Sequence, residues 1–95
     1  MKIETFECED NYEAEKLAGL LTVQKDNSIF VSGIVAAMKN EIIILLKDRS
    51  SHSVTLKDEN NASKLKSLIE DVITGKKIIS ESTYENYTAR VIITD

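Results

Sequence analysis

The chain has 95 residues, of which 42% are apolar and 29% charged, and its formal charge is −4. That length suits a single domain burying roughly 60–65% of the surface its unfolded chain exposes, and the composition excludes disordered and fibrous classes. The charge is uneven: Met1 to Asp26 carries three basic and seven acidic side chains, and the remainder carries nine of each. Such a balance argues against a protein that wraps duplex DNA through a basic face.

The opening Met-Lys-Ile-Glu-Thr-Phe-Glu lacks the apolar core of a signal peptide, and nowhere do about 18 apolar residues run together. Cys8 is the only cysteine, so an internal disulfide and a multi-cysteine zinc site are excluded. The expectation is a cytoplasmic protein with no membrane contact.

Residues 2–8 alternate as a strand whose phase changes near Thr5, where a bulge is expected. Asp10 can cap a helix with Glu13 three residues on, and Ala14, Leu17, Ala18 and Leu21 form its stripe, giving a helix from Asn11 to about Leu21. The turn-forming Lys25-Asp26-Asn27 precedes Ile29 to Met38, whose β-branched content favours a strand. Lys39-Asn40 reads as a two-residue turn into Glu41 to Lys47, completing a central hairpin. Val54 to Lys57 is expected to be a short antiparallel strand.

From Ala62, the residues Leu65, Leu68, Ile69, Val72 and Ile73 repeat at i, i+3, i+4, i+7 and i+8, which makes a second helix. Gly75 follows as a left-handed cap. Ile78-Ile79 begins another extended piece, and Tyr87, Ala89, Val91 and Ile93 alternate with Thr88, Arg90, Ile92 and Thr94 in a last strand. No internal repeat, linker or low-complexity tract is read.

The order predicts an α+β fold over residues 1–95: a two-layer sandwich with a mainly antiparallel sheet of about five strands and both helices on one face. A ferredoxin-like split βαβ variant is the first choice, and a TATA-binding-protein-like arrangement is the rival.

The hairpin is apolar on both faces. With Lys39-Asn40 as the turn, Ala37 pairs with Ile42, Val35 with Ile44 and Gly33 with Leu46. Ile29, Val31, Val35, Ala37, Ile42, Ile44 and Leu46 then face the helices. Phe30, Ile34, Ala36, Met38, Ile43 and Leu45 face away and are the candidate interface, since a contiguous exposed apolar patch marks an interaction surface. Gly33 suggests a close backbone approach.

Chemistry-bearing groups are sparse. Cys8 beside a helix start is the one candidate thiol nucleophile, opposed by Glu7, Glu9 and Asp10. His52 between Ser51 and Ser53, with Asp48 near, lacks an oxyanion-hole loop. Gly19, Gly33 and Gly75 are scattered and make no phosphate loop. The expected function is therefore a non-catalytic interaction or self-assembly module without a cofactor, whose partner is a second copy or another protein. The alternative is a nucleic-acid-associated module using Lys47, Arg49, Lys57 and Arg90 with Phe6 or Phe30 on a sheet face, and the third reading is an enzyme using Cys8 or His52.

Overall fold

The structure is a computed structural model and describes residues 2–22 and 30–94. Its elements in chain order are β1 (Lys2–Glu7), α1 (Asn11–Thr22), β2 (Phe30–Val35), β3 (Glu41–Leu46), β4 (Ser51–Thr55), α2 (Glu59–Ile73), β5 (Ile78–Glu85) and β6 (Thr88–Thr94). The fold is α+β as the periodicities imply, and α1 starts where Asp10 accepts the Glu13 N–H at 2.9 Å. Asp58 does the same for Asn61 at 2.9 Å, so α2 begins three residues before the apolar stripe that announces it. At its far end Gly75 adopts φ +80°, and its N–H donates to the Val72 carbonyl at 3.2 Å.

The single sheet of about five strands is corrected. Six strands form two three-stranded antiparallel sheets, β1-β6-β5 and β2-β3-β4. β1 and β2, joined through α1, lie in different sheets, whereas a split βαβ unit needs both in one sheet, and neither the ferredoxin-like variant nor the TATA-binding-protein-like rival, each built on a single sheet, describes this arrangement. The sheets meet at one bridge, Cys8 opposite Leu56, where the Glu9 N–H donates to the Thr55 carbonyl (3.0 Å) and the Lys57 N–H to the Glu7 carbonyl (2.8 Å).

This crossing is reciprocal, and it exposes a repeat that the sequence reading does not register. The chain is two β-α-β-β units, β1-α1-β2-β3 and β4-α2-β5-β6, related by an offset of 48 positions through the first strand and helix. The Glu7 N–H donates to Asn61 Oδ1 at 2.9 Å, and the equivalent Thr55 N–H donates to Glu13 Oε1 at 2.7 Å. Ala14, Leu17 and Leu21 correspond to Ala62, Leu65 and Ile69, all buried. Each hairpin carries a register shift at the matching place, between Phe30 and Ser32 and between Ile79 and Glu81.

The units are interleaved. Helix α1 lies on β5 and β6 and touches β4, while α2 lies on β2 and β3 and touches β1, so each helix buries its apolar face on the other unit's strands. One continuous core results, containing Phe6, Leu17, Leu21, Ile42, Ile44, Val54, Leu56, Leu65, Ile69 and Ile93.

Three local expectations are corrected. The phase change near Thr5 does not occur, because β1 runs in unbroken register against β6. Lys39-Asn40 is not a two-residue turn; a loop spans 36–40, with Lys39 at φ 67° and Asn40 tied by its carbonyl to the Leu56 N–H (2.7 Å) and by its side chain to the Leu56 carbonyl (3.3 Å). That anchor shifts the hairpin by two residues, so Val35 opposes Ile42 and Gly33 opposes Ile44. Strand β4 starts at Ser51 and Lys57 lies outside it. The extended piece expected to begin at Ile78 is β5, which runs to Glu85 and returns through a tight turn in which Asn86 takes φ 54°, a conformation asparagine tolerates.

The bulge after Phe30 inverts the alternation at the start of β2. Phe30 is buried and Val31 is 51% exposed, the reverse of the sequence assignment. Ala37 is exposed in the loop, and Ile29 lies outside the described residues. Gly33 makes the expected close approach: a Cβ there would stand 3.2 Å from Ile69 Cδ1 and 3.3 Å from Ile42 Cδ1.

Two predictions follow from these contacts. Glu13→Gln keeps an acceptor for the Thr55 N–H and is expected to change stability by under about 0.5 kcal/mol, whereas Glu13→Ala and Asn61→Ala each orphan a backbone donor and should cost about 1–3 kcal/mol in urea titrations. Equal effects of Gln and Ala at position 13 would refute the bond's role. Gly33→Ala should cost about 1–3 kcal/mol by overpacking, and Ile69→Val, which removes the crowding methyl, should recover part of that loss; strict additivity of the two changes would count against the contact.

Candidate interaction surface

Register fixes which side chains leave the core. On β2-β3-β4 the outward rows are Ile34, Ile43, Ser53 and, beside it, Ser32, Leu45, Ser51. Ile34 is 49% exposed, Ile43 and Leu45 are half-buried, and the serines at 51 and 53 are exposed. The centre of this face is thus apolar with short hydroxyl side chains around it. Charge enters only at its ends, with Glu41 opposite Thr55 at one and exposed Lys47 at the other.

Of the six candidate interface residues, Ile34, Ile43 and Leu45 lie together on this face. Phe30 is excluded, being 2% exposed in the core because of the bulge. Ala36 and Met38 belong to the 36–40 loop beyond the strand ends, half-buried and 80% exposed respectively.

The repeat supplies a comparison within the chain. The outward rows of β1-β6-β5 are Thr5, Arg90, Thr83 and Ile3, Ile92, Glu81, so Arg90 stands where the other unit has Ile43, and Thr83 where it has Ile34. Arg90 also lines a cleft of about 390 Å³ at the β5–β6 turn with Thr5, Thr83, Tyr87 and Thr88. Position alone does not separate the two outer faces; side-chain chemistry does.

The basic residues do not form one patch. Lys47 and Arg49 sit in the turn before β4, while Lys57 follows its other end, paired with Glu7 at 3.3 Å and with its ammonium 5.9 Å from the Tyr87 ring centroid. The Glu7 hydrogen bond raises the Lys57 pKa. Phe6 and Phe30 are both buried, so neither presents a face to a base.

Cys8 is 1% exposed, and its sulfur lies 3.8 Å from the Phe6 carbonyl. Burial, reinforced by Glu13 and Asp10, pushes its pKa up to about 12, so the thiolate that nucleophilic chemistry needs does not form near neutrality. His52 is bound through Nε2 to Ser50 Oγ at 3.2 Å, and Ser50 Oγ donates its proton to Asp48 Oδ1. The Ser50 hydrogen bonds hold the Asp48 carboxyl below its usual range. Ser50 therefore gives its proton to the carboxylate and not to the imidazole, the opposite polarity to a serine activated by histidine.

Among the described residues no cluster of three or more His, Cys, Asp or Glu side chains could hold a metal ion, and no helix is long and apolar enough to cross a membrane. No protein family, curated protein or solved structure matches the chain.

The Cys8 environment has a measurable consequence. The unfolded thiol ionises near 9.0 and the folded one near 12, so its contribution to stability is complete below pH 9 and declines as pH rises from 9 towards 12. Brief alkylation at pH 8 is expected to leave the native protein unmodified and to label it fully in denaturant; rapid native labelling would contradict the assignment.

Proposed function

We propose that the chain is a non-catalytic assembly module that associates with a second copy through the outer face of β2-β3-β4. The observation that carries this reading is the placement of Ile34, Ile43 and Leu45 side by side on the side of the sheet away from the helices, surrounded by Ser32, Ser51, Ser53 and Thr55. Short hydroxyl side chains let a flat surface come close, and no charge has to be desolvated at the centre of the contact. Three aliphatic side chains are a small core for an interface, so the association is weak and reversible.

Light scattering across a concentration series tests it. The wild type should pass from monomer to dimer with rising concentration. Ile43→Lys should remain monomeric at the top of the series with thermal unfolding little changed, because the side chain already meets solvent on this face. A wild type that is monomeric throughout, with Ile43→Lys equally soluble, would overturn the reading.

A further inference from the structure

We infer that the contact between the two β-α-β-β units can also be made between chains, giving a dimer in which two copies exchange units by straightening the β3–β4 turn. Apart from the pairing inside each hairpin, β2 with β3 and β5 with β6, the contacts that build the core cross from one unit to the other: α1 on β5 and β6, α2 on β2 and β3, β1 on β6, and β3 on β4. The buried polar bonds cross as well, from Glu7 to Asn61 and from Thr55 to Glu13. The covalent link between the units is the turn at 47–50. An exchanged pair therefore re-forms the whole core and both polar bonds, and it sacrifices only what the turn itself contains.

That content is small. Arg49 holds φ 74°, a conformation a non-glycine residue adopts at a cost. The turn is closed by the Leu46 N–H to the Ser50 carbonyl (3.0 Å), the Arg49 N–H to the Leu46 carbonyl (3.0 Å) and the Asp48–Ser50 contacts. Because β3 and β4 are antiparallel neighbours, straightening the turn joins them into one long strand. β3 of one chain then pairs with β4 of the other in the same register, and Arg49 relaxes into the extended region.

The turn's charges oppose this exchange. Extending the Leu45–Ser51 register across the straightened segment sets Lys47 opposite Arg49 of the second copy and the two Asp48 carboxylates opposite each other. Like charges facing across strands are unfavourable and are screened by salt. The strained turn thus favours exchange while its charges favour the monomer, and ionic strength shifts the balance towards the dimer.

Deleting residues 47–50 leaves too little chain to turn but keeps the pairing of the joined strands. The deleted protein is expected to be a dimer at every concentration at which it is folded, with native helical circular dichroism. A folded monomer would overturn the inference. In a second experiment, full-length chains carrying Leu17→Asp or Leu65→Asp, each disabling one unit at a fully buried position, are refolded singly and as a mixture. Alone, each should stay unfolded. The mixture should recover about half the native signal as a one-to-one heterodimer, and a mixture that stays unfolded would refute the proposal. Adding Ile43→Lys to both chains should not change that recovery, which separates unit exchange from association through the outer face.

Discussion

The whole arrangement depends on the place where β1 and β4 pass each other. Only Cys8 and Leu56 bridge there, yet the next helical turn of each unit sends a side chain across to the other: Asn61 accepts from the Glu7 N–H and Glu13 from the Thr55 N–H. Without those acceptors, two half-buried backbone donors at the ends of short strands would lose their partners. Asp10 and Asp58 set the position of both acceptors by capping the helices that carry them. A capping interaction and a sheet junction are thus one structure, used twice.

The crossing also settles where the helices go. From it, each helix runs back over the other unit's hairpin and not its own, so neither unit has a core of its own. For so short a chain this is a means of burying large side chains from eight elements in one cluster, when two separate small cores would each be marginal. Gly33 shows how close the packing is, since Ile69 of α2 stands over its bare backbone. Similar interleaving of the polar groups explains why Glu13, a charged side chain, is tolerated at 9% exposure: one oxygen takes the Thr55 N–H and the other pairs with Lys16 at 3.0 Å.

Much of this was legible and some of it was not, for identifiable reasons. The period of Leu65, Leu68, Ile69 and Val72 is a local property, and Asp10 and Gly75 act within one helical turn, so both helices, the start of α1 and the cap of α2 could be read directly, while α2 starts three residues ahead of its stripe. The hairpin register could not, because Asn40 is held by Leu56, a residue sixteen positions away. The bulge at Val31 leaves no local mark, and it alone moves Phe30 from the surface to the core. The repeat, by contrast, was present: Asp10, Ala14, Lys16, Leu17 and Leu20 recur as Asp58, Ala62, Lys64, Leu65 and Leu68. It is hidden by unlike first strands, where Phe6, Glu7 and Cys8 face Val54, Thr55 and Leu56, and by hairpin loops of different length.

Comparing the units with each other separates scaffold from specialisation. Apart from Lys16 and Lys64, the identical positions lie on helix starts and core stripes, and the matching bulges preserve the same strand geometry. Divergence concentrates on the outer faces and the hairpin turns: Ile43 against Arg90, Ile34 against Thr83, a loop at 36–40 against the tight turn at Asn86. Packing alone does not demand these differences, since both members of each pair leave the core on equivalent strands. One unit places Ile43 at the centre of its open face, and the other places the Arg90 guanidinium between Thr5 and Thr83, with Ile3, Ile92 and Glu81 in the next row. A fold that is two-fold inside and unlike outside can hold two different surfaces rigidly with respect to each other, because both are attached to one shared core.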